Sequence, residues 1–118
     1  MAIRIPARGE VWWIRFDPSE GDEIKKVRMA VVISENAVGR LRLKIVVPIT
    51  EWKTNYASFA WFVKLVPIPA NGLTKESGAD AFQVKPVSNL RFIDRVGELA
   101  TSELDEIAKA NAVCVGVP

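Results

Sequence analysis

Two polar side chains stand at the ends of apolar segments of the chain. Arg28 lies near the start of Val27–Ser34, and Thr50 closes Val47–Thr50. An arginine carries a permanent charge and a planar fork of N–H donors that matches the oxygens of a phosphate. The chain contains no histidine, so histidine cannot supply that charge. A short polar loop joins the two segments, which predicts that they pair and hold the cation and the hydroxyl on one face as a phosphate grip.

Charge is distributed unevenly along the chain. The net charge is only +2, but residues 25–64 hold eight basic side chains against two acidic ones. Residues 94–118 have the opposite balance, with two basic side chains against five acidic ones. A basic middle segment suits a polyanion such as a nucleic acid. The alternative is a solvated face with no partner.

The elements that would position these residues are mostly strands. Runs of β-branched and aromatic residues bounded by turn residues are typical of strands. The predicted strands are Glu10–Phe16, Val27–Ser34, Leu41–Ile49, Ser58–Val66 and Ala79–Lys85. A long loop is expected over Asp17–Lys26, and Phe92–Leu99 fits more than one structure. The second and third strands are almost continuously apolar, so we expect both to be central and covered on both faces.

One helix is predicted at the end of the chain. Thr101 or Ser102 can cap it, and acidic residues fill its first turns, where the helix dipole favours negative charge. The expected core stripe is Leu104, Ile107, Ala108 and Asn111 or Ala112. Strands followed by one amphipathic helix predict a mainly β fold (α+β), a small barrel or curled sheet closed by a helix.

Length and composition restrict the remaining possibilities. The 118 residues predict a single domain, 1–118. The apolar runs are too short to span a membrane, and the opening residues lack the apolar stretch of a signal peptide. The single Cys114 cannot form an internal disulfide, so we expect a cytoplasmic protein. No metal-ligand cluster or glycine-rich phosphate loop is visible in the sequence, and no cofactor is predicted.

Several short motifs occur in a recognisable order. They are Arg8-Gly9-Glu10-Val11-Trp12, Phe16-Asp17-Pro18, Gly21-Asp22-Glu23, Val27-Arg28, Val31-Val32-Ile33-Ser34, Val47-Pro48-Ile49-Thr50, Gly72-Leu73-Thr74-Lys75-Glu76-Ser77, Gln83-Val84-Lys85, Arg91-Phe92 and Val96-Gly97-Glu98-Leu99. Together they resemble the MazF/PemK family of toxin endoribonucleases over nearly the whole chain. The chain departs from the family pattern at Asp22, Ile24, Met29, Asp80 and Phe82.

The resemblance implies an SH3-like barrel of the MazF/CcdB type that forms a homodimer. It also implies sequence-selective, metal-independent cleavage of single-stranded RNA (mRNA), growth inhibition, and neutralisation by a cognate antitoxin with an acidic and apolar tail. The family's catalytic arginine falls on Arg28 and its catalytic threonine on Thr50. In such a reaction the RNA 2′-hydroxyl attacks the adjacent phosphate. Arg28 would stabilise the developing charge, and Thr50 would donate a hydrogen bond or relay a proton.

Other residues are candidates for binding RNA, by charge, stacking or hydrogen bonding. They are Glu23, Lys25, Lys26, Trp52, Lys53, Tyr56, Gln83 and Lys85. Each has a structural alternative. Glu23 fits a solvated loop acid, Gln83 fits a sheet-end amide, and the aromatic residues fit core or dimer packing.

Two other functions stay open. One is a non-enzymatic CcdB-like toxin that binds DNA gyrase, although such a relative ends in a Trp-Gly-apolar motif and this chain ends Cys114-Val115-Gly116-Val117-Pro118. The other is an inactive barrel that only binds a partner. The missing tryptophan and the pair of Arg28 and Thr50 favour RNA cleavage.

Overall fold

A computed structural model describes residues 5–18, 20–24, 26–38 and 42–117. Over these residues the chain forms seven strands and one α-helix. The strands are β1 (Glu10–Arg15), β2 (Val27–Val32), β3 (Leu43–Glu51), β4 (Phe62–Leu65), β5 (Ser77–Asp80), β6 (Lys85–Ser88) and β7 (Phe92–Glu98), followed by the helix α1 (Thr101–Cys114). Three 3-10 turns lie between strands, at Thr54–Ser58, Ala81–Gln83 and Asn89–Arg91. Among the described residues, no helix has the length and apolarity needed to cross a bilayer.

All strand pairs are antiparallel, and β3 is the centre of the sheet. The strand order is β4-β5-β3-β2-β1-β7, and β6 pairs with the first half of β3. Residues 43–46 of β3 pair with β6, residues 49–51 pair with β5, and the strand also pairs with β2. β3 therefore contacts three other strands of the sheet. The predicted β2–β3 pair and the mainly β fold with a terminal helix are both confirmed.

The sheet has two apolar faces because the central strands alternate between two cores. In β2, Val31 belongs to the core that also includes Leu104 and Ile107 of α1. Ala30 and Val32 belong to the second core, on the opposite face. Successive strand residues point to opposite faces, so an unbroken apolar run results when both faces are covered. The central position predicted for β2 is therefore confirmed.

The structure corrects two predicted strands. Ser58–Val66 contains only the short β4, because residues 54–58 form a 3-10 turn before it. Ala79–Lys85 is divided between β5 and β6 by the 3-10 turn at Ala81–Gln83. Asp80 accepts the Phe82 N–H at 3.2 Å and so stabilises this turn in place of a continuous strand. The segment with ambiguous pattern forms strand β7, whose pairing with β1 contains two register shifts.

The terminal helix is confirmed, with a different cap and a shifted stripe. Its N-cap is Ala100, whose N–H donates to the Glu103 carboxylate at 3.2 Å. Ala100 has no side-chain acceptor, so only the Glu103 half of a capping box can form. The buried helix residues are Leu104, Ile107 and Ala110, whereas Ala108 is exposed. The predicted Leu104 and Ile107 are therefore correct, Ala108 is wrong, Asn111 and Ala112 are only half-buried, and the buried Ala110 was not predicted.

Candidate active-site groove

The β2–β3 register brings Arg28 and Thr50 together. Met29 is opposite Ile49 in this antiparallel pair, so the next position along the ladder sets Arg28 opposite Thr50. Directly opposed residues share a face of the sheet, with Cβ atoms about 5 Å apart. Arg28 lies near the start of β2 and Thr50 near the end of β3, at the same end of the sheet. The predicted juxtaposition is thus present in the fold.

A groove of about 390 Å³ opens at this end of the sheet. It is lined by Trp13, Arg28, Met29, Ile49, Thr50, Glu51, Lys53, Thr74, Lys75 and Ser77. Three lining residues, Trp13, Met29 and Ile49, are neighbours in register across β1, β2 and β3. The groove is therefore built on paired strands and includes both apolar and polar residues.

The charged groups of the groove are mostly cationic. Arg28, Lys53 and Lys75 line it together with one carboxylate, Glu51. Glu51 pairs with Lys75 at 3.5 Å. The Arg28 side chain is exposed, and among the described residues no ion pair or side-chain hydrogen bond engages it. Its guanidinium is thus available to an anionic ligand.

Thr50 is half-buried beside this charge. It pairs with Gly78 of β5, and the Trp52 side chain covers that glycine. A methyl group at Gly78 would lie only 3.0 Å from the Trp52 ring. Over the described part of the chain, the Thr50 hydroxyl has no hydrogen-bond partner. It can therefore donate to or accept from a bound molecule.

The aromatic candidates next to Thr50 form a packed cluster. Trp52 meets Tyr56 edge to face at 5.7 Å, and Tyr56 stacks on Phe62 at 3.9 Å. The Lys64 ammonium lies 5.5 Å from the centre of the Trp52 ring. Trp52 and Tyr56 are both half-buried. This cluster therefore flanks the groove next to Thr50, and part of its aromatic surface is used for internal packing.

Four other candidates lie away from the groove lining. Glu23 is exposed, and its carboxylate accepts the Glu20 N–H at 2.8 Å within the β1–β2 loop. Lys26 is exposed at the end of that loop, and the Lys85 ammonium lies 5.8 Å from the centre of the Phe16 ring. The Gln83 side chain bonds to the backbone of the same loop. The candidate Lys25 lies outside the described residues.

Of the ten groove residues, only Arg28, Thr50 and Lys53 were predicted as site residues, and the aromatic and charged residues among the others are Trp13, Glu51 and Lys75. Trp13 is 40% exposed, whereas Trp12 is 5% exposed and packs in the second core. Because successive strand residues point to opposite faces, one of the two tryptophans had to face outward, but the sequence did not indicate which one. Glu51 and Lys75 form an ion pair between segments that are distant in sequence. The only sequence signal was their location beside Thr50 and within the quoted motif Gly72–Ser77.

No group of three or more potential metal-ligating side chains occurs among the described residues. The groove can therefore be characterised by its cations, the hydroxyl of Thr50 and the exposed face of Trp13. Such a lining suits a phosphodiester beside an unstacked base, because arginine binds phosphate oxygens and an aromatic ring stacks on a base.

Residues 7–113 match the PemK-like, MazF-like toxins of type II toxin–antitoxin systems. The chain is 32% identical over 111 residues to probable endoribonuclease MazF5 of Mycobacterium tuberculosis, covering 94% of this chain and 94% of that protein. It is 28% identical over 109 residues to endoribonuclease MazF9 of the same organism, covering 87% of this chain and 90% of that protein.

Solved structures share the fold. One is the crystal structure of MazF from Deinococcus radiodurans, with a TM-score of 0.77 and 22% identity over 97% of this chain and 99% of that one. Another is an endoribonuclease from a mycobacterial species in complex with its cognate antitoxin, with a TM-score of 0.73 and 20% identity over 96% and 97% of the two chains. The predicted SH3-like barrel is confirmed by this likeness.

Proposed function

Because the chain belongs to the PemK-like, MazF-like toxins of type II toxin–antitoxin systems, we propose that its groove cleaves single-stranded RNA without a metal ion. One relative named above is called an endoribonuclease and the other a probable endoribonuclease, and the chain is an endoribonuclease toxin of this family. The observation that carries the proposal for this site is that the exposed Arg28, with no partner among the described residues, lines one groove together with Thr50. In this proposal the toxin acts on mRNA in the cytoplasm and stops growth.

The proposed reaction is attack by the RNA 2′-hydroxyl on the adjacent phosphorus. A bond forms between the 2′-oxygen and phosphorus, and the bond from phosphorus to the 5′-oxygen breaks. One proton leaves the 2′-hydroxyl and another reaches the departing 5′-oxygen. The product is a 2′,3′-cyclic phosphate, which water can open to a 3′-phosphate. Arg28 neutralises the extra charge on the phosphoryl oxygens, and a preorganised donor of this kind is typically worth about 10²–10³ in rate.

Thr50 has the second role in this proposal. A threonine hydroxyl is a poor base, so we assign it a hydrogen bond to a phosphoryl oxygen and a place in the proton relay. Lys53 and Lys75 would attract the phosphates on either side of the cut. Trp13 and Trp52 would offer ring surface to unstacked bases. Tyr56, Lys26, Lys85, Glu23 and Lys25 remain candidate contacts for the RNA outside the groove.

The proposed partners are RNA, a second copy of the chain and a cognate antitoxin. A solved neighbour of the same fold is in complex with its antitoxin. An antitoxin segment that combines carboxylates with large apolar residues would complement a groove with three cations and an exposed tryptophan. Several apolar side chains on the outside of the fold support a dimer, among them Leu43, Ile45, Leu90, Val113 and Val115. Sedimentation would show twice the monomer mass.

The gyrase-binding alternative is not favoured. The family match covers residues 7–113, and the relatives compared above are endoribonucleases. The inactive-barrel alternative gives no role to the unpaired Arg28, which lines a cationic groove together with Thr50. Cleavage assays separate these possibilities, because neither alternative would cut RNA.

The test is incubation of the purified chain with a long single-stranded RNA in EDTA, followed by mapping of the new ends. We expect cleavage at a short preferred sequence, with resistant duplex RNA and ends that carry a cyclic or 3′-phosphate. A single 2′-deoxynucleotide at the cut site should block cleavage there, because the nucleophile is gone. Activity that disappears in EDTA and returns with Mg²⁺, or that ignores the deoxy substitution, would refute the proposal.

A further inference from the structure

The Gln83 side chain ties the loop between β1 and β2 to the body of the sheet. Its Oε1 accepts the Ile24 N–H at 3.2 Å, and its Nε2 donates to the Asp22 carbonyl at 3.0 Å. These contacts span 59 and 61 positions of the sequence. Both ends of the Gln83 side-chain amide therefore bond to the backbone of the loop. These two hydrogen bonds fix the position and the orientation of residues 22–24.

The 3-10 turn that carries Gln83 is itself held from two sides. Asp80 caps it by accepting a backbone N–H at 3.2 Å. The Ala81 carbonyl accepts the Asn111 side-chain amide of α1 at 2.9 Å, and Ala81 is fully buried. The turn is thus held in a fixed position between the sheet and the helix. A side chain that projects from it can hold the loop in one place.

The clamped loop leads directly into the strand that carries Arg28. Lys26, two positions after Ile24, donates its N–H to the Asp17 carboxylate at 2.9 Å, and its carbonyl accepts the Phe16 N–H at 2.8 Å. Its φ of +62° lies in the left-handed region, which is uncommon for a lysine, and these two bonds hold it there. Arg28 follows two positions later. A displacement of the loop at Ile24 therefore acts on the entry to β2 through only a short stretch of backbone.

We propose that Gln83 is a positioning residue that clamps the β1–β2 loop and so fixes the entry of Arg28 into the groove. The inference rests on the proposed function of Arg28. It changes the role predicted from sequence, in which the Gln83 amide bonds to an RNA base. Gln83 does not line the groove, and the loop backbone already engages its amide from both ends.

The test combines amide exchange with cleavage kinetics in Gln83→Ala. Loss of the bond to Ile24 should make the exchange of that N–H about tenfold faster, which corresponds to a hydrogen bond of about 1.4 kcal/mol. The Ile68 N–H, which bonds to the Asn71 side chain outside this loop, is the internal reference and should not change. We expect kcat to fall about five- to tenfold with KM within about twofold, because a misplaced catalytic group weakens the transition state more than the ground state.

Asn36→Ala is the matched control. Its side-chain carbonyl also accepts a distant backbone N–H, that of Arg8 at 2.8 Å, but it follows the far end of β2. It should leave both the Ile24 exchange and kcat at wild-type values. Gln83→Glu keeps an acceptor for Ile24 and loses the donor to Asp22, so its Ile24 exchange should lie between those of wild type and Gln83→Ala.

Two results would overturn the clamp. One is wild-type exchange of Ile24 in Gln83→Ala. The other is a rise in KM with unchanged kcat, which is the signature of a direct contact to RNA in the ground state. If the wild-type chain failed to cut RNA at all, the proposed function would fall, whereas the Ile24 exchange would still decide whether the clamp exists.

Discussion

Arginines at the β1–β7 edge and in the groove have different surroundings. At the edge, Arg95 donates to Glu10 at 3.0 Å and to Glu98 at 3.4 Å. In the groove, Arg28 has no acceptor among the described residues, although it lies beside Thr50 and near two lysines. An arginine with a structural role, such as Arg95, is paired with carboxylates of the same chain. An arginine that lacks them at a concave cationic site is suited to an anion from outside, and here we infer that this anion is an RNA phosphate.

The sharpest test of this comparison removes one arginine from each region. Arg28→Ala should lower the cleavage rate about 10²-fold or more while the thermal midpoint stays near that of the wild type, because a transition-state donor is lost and no folded-state partner is left behind. Arg28→Lys should also be largely inactive, since an ammonium cannot reproduce the bidentate fork.

Arg95→Ala is the matched control for that experiment. It should keep near wild-type cleavage and lose stability, because it breaks the contacts with Glu10 and Glu98. An equal loss of activity in Arg28→Ala and Arg95→Ala would contradict the assignment of a catalytic role to Arg28 and a structural role to Arg95. A folded Arg28→Ala with full activity would remove Arg28 from the mechanism.

Thr50 should show the next largest effect. Thr50→Ala should lose about 10²-fold in kcat, the low end of what a group that assists a proton transfer contributes. Thr50→Ser keeps the hydroxyl and should retain partial activity. Single-turnover cleavage of a short RNA that contains the mapped site measures both. Full activity of Thr50→Ala would leave the hydroxyl with a structural role only.

A smaller effect is expected from the lysines of the groove. Lys53→Ala should weaken RNA binding several-fold and reduce the slope of log K against log salt by about 0.7, the value for one phosphate contact on a single strand. Lys109→Ala, on the exposed surface of α1, should leave the slope unchanged. Binding of a non-cleavable 2′-deoxy-substituted RNA at several salt concentrations checks this. An unchanged slope in Lys53→Ala would place the RNA phosphates elsewhere.

The smallest effect concerns the structural arginine's partner, Glu10. Burial opposes the charged form of Glu10, but bonds from Ala7, Arg95 and Trp12 outweigh it, so its pKa is lowered from the usual 4.5. The ionised carboxylate therefore stabilises the fold at pH values above its ordinary pKa of 4.5. This stabilisation is lost as the pH falls through the lowered pKa of the folded state. Glu10→Gln should lose up to about 1 kcal/mol near neutral pH. Urea unfolding should show this difference shrinking in acid, and a constant difference would contradict it.

The paired strands and the relation between Arg28 and Thr50 could be predicted because local pattern determines both. The apolar runs of β2 and β3 fix which residues face the two cores, and antiparallel pairing then sets the arginine opposite the threonine. The side of the sheet on which Trp13 emerges could not be predicted. That choice depends on the second core, which buries Trp12 and which only the assembled sheet defines.

The proposed role of Gln83 also could not be predicted from the sequence. Its partners lie about sixty positions earlier, and they are backbone groups that any residue could supply. The break of the predicted strand Ala79–Lys85 comes from the same region, where Asp80 caps a turn. Four of the five departures from the family pattern lie in or next to the two segments that Gln83 joins. Asp22 and Ile24 are in the β1–β2 loop, Phe82 is in the 3-10 turn, and Asp80 caps that turn. Sequence differences here mark a local structure that pattern alone cannot resolve.

The most direct measurement of the central claim follows the arginine side chains themselves during binding. In an NMR titration with a 2′-deoxy-substituted, non-cleavable RNA, each guanidinium Nε–H reports whether a phosphate approaches. The account predicts a large shift and slowed exchange for Arg28, with Arg95 unchanged because Glu10 and Glu98 hold it. An unperturbed Arg28 in a chain that still binds and cleaves the parent RNA would contradict the account.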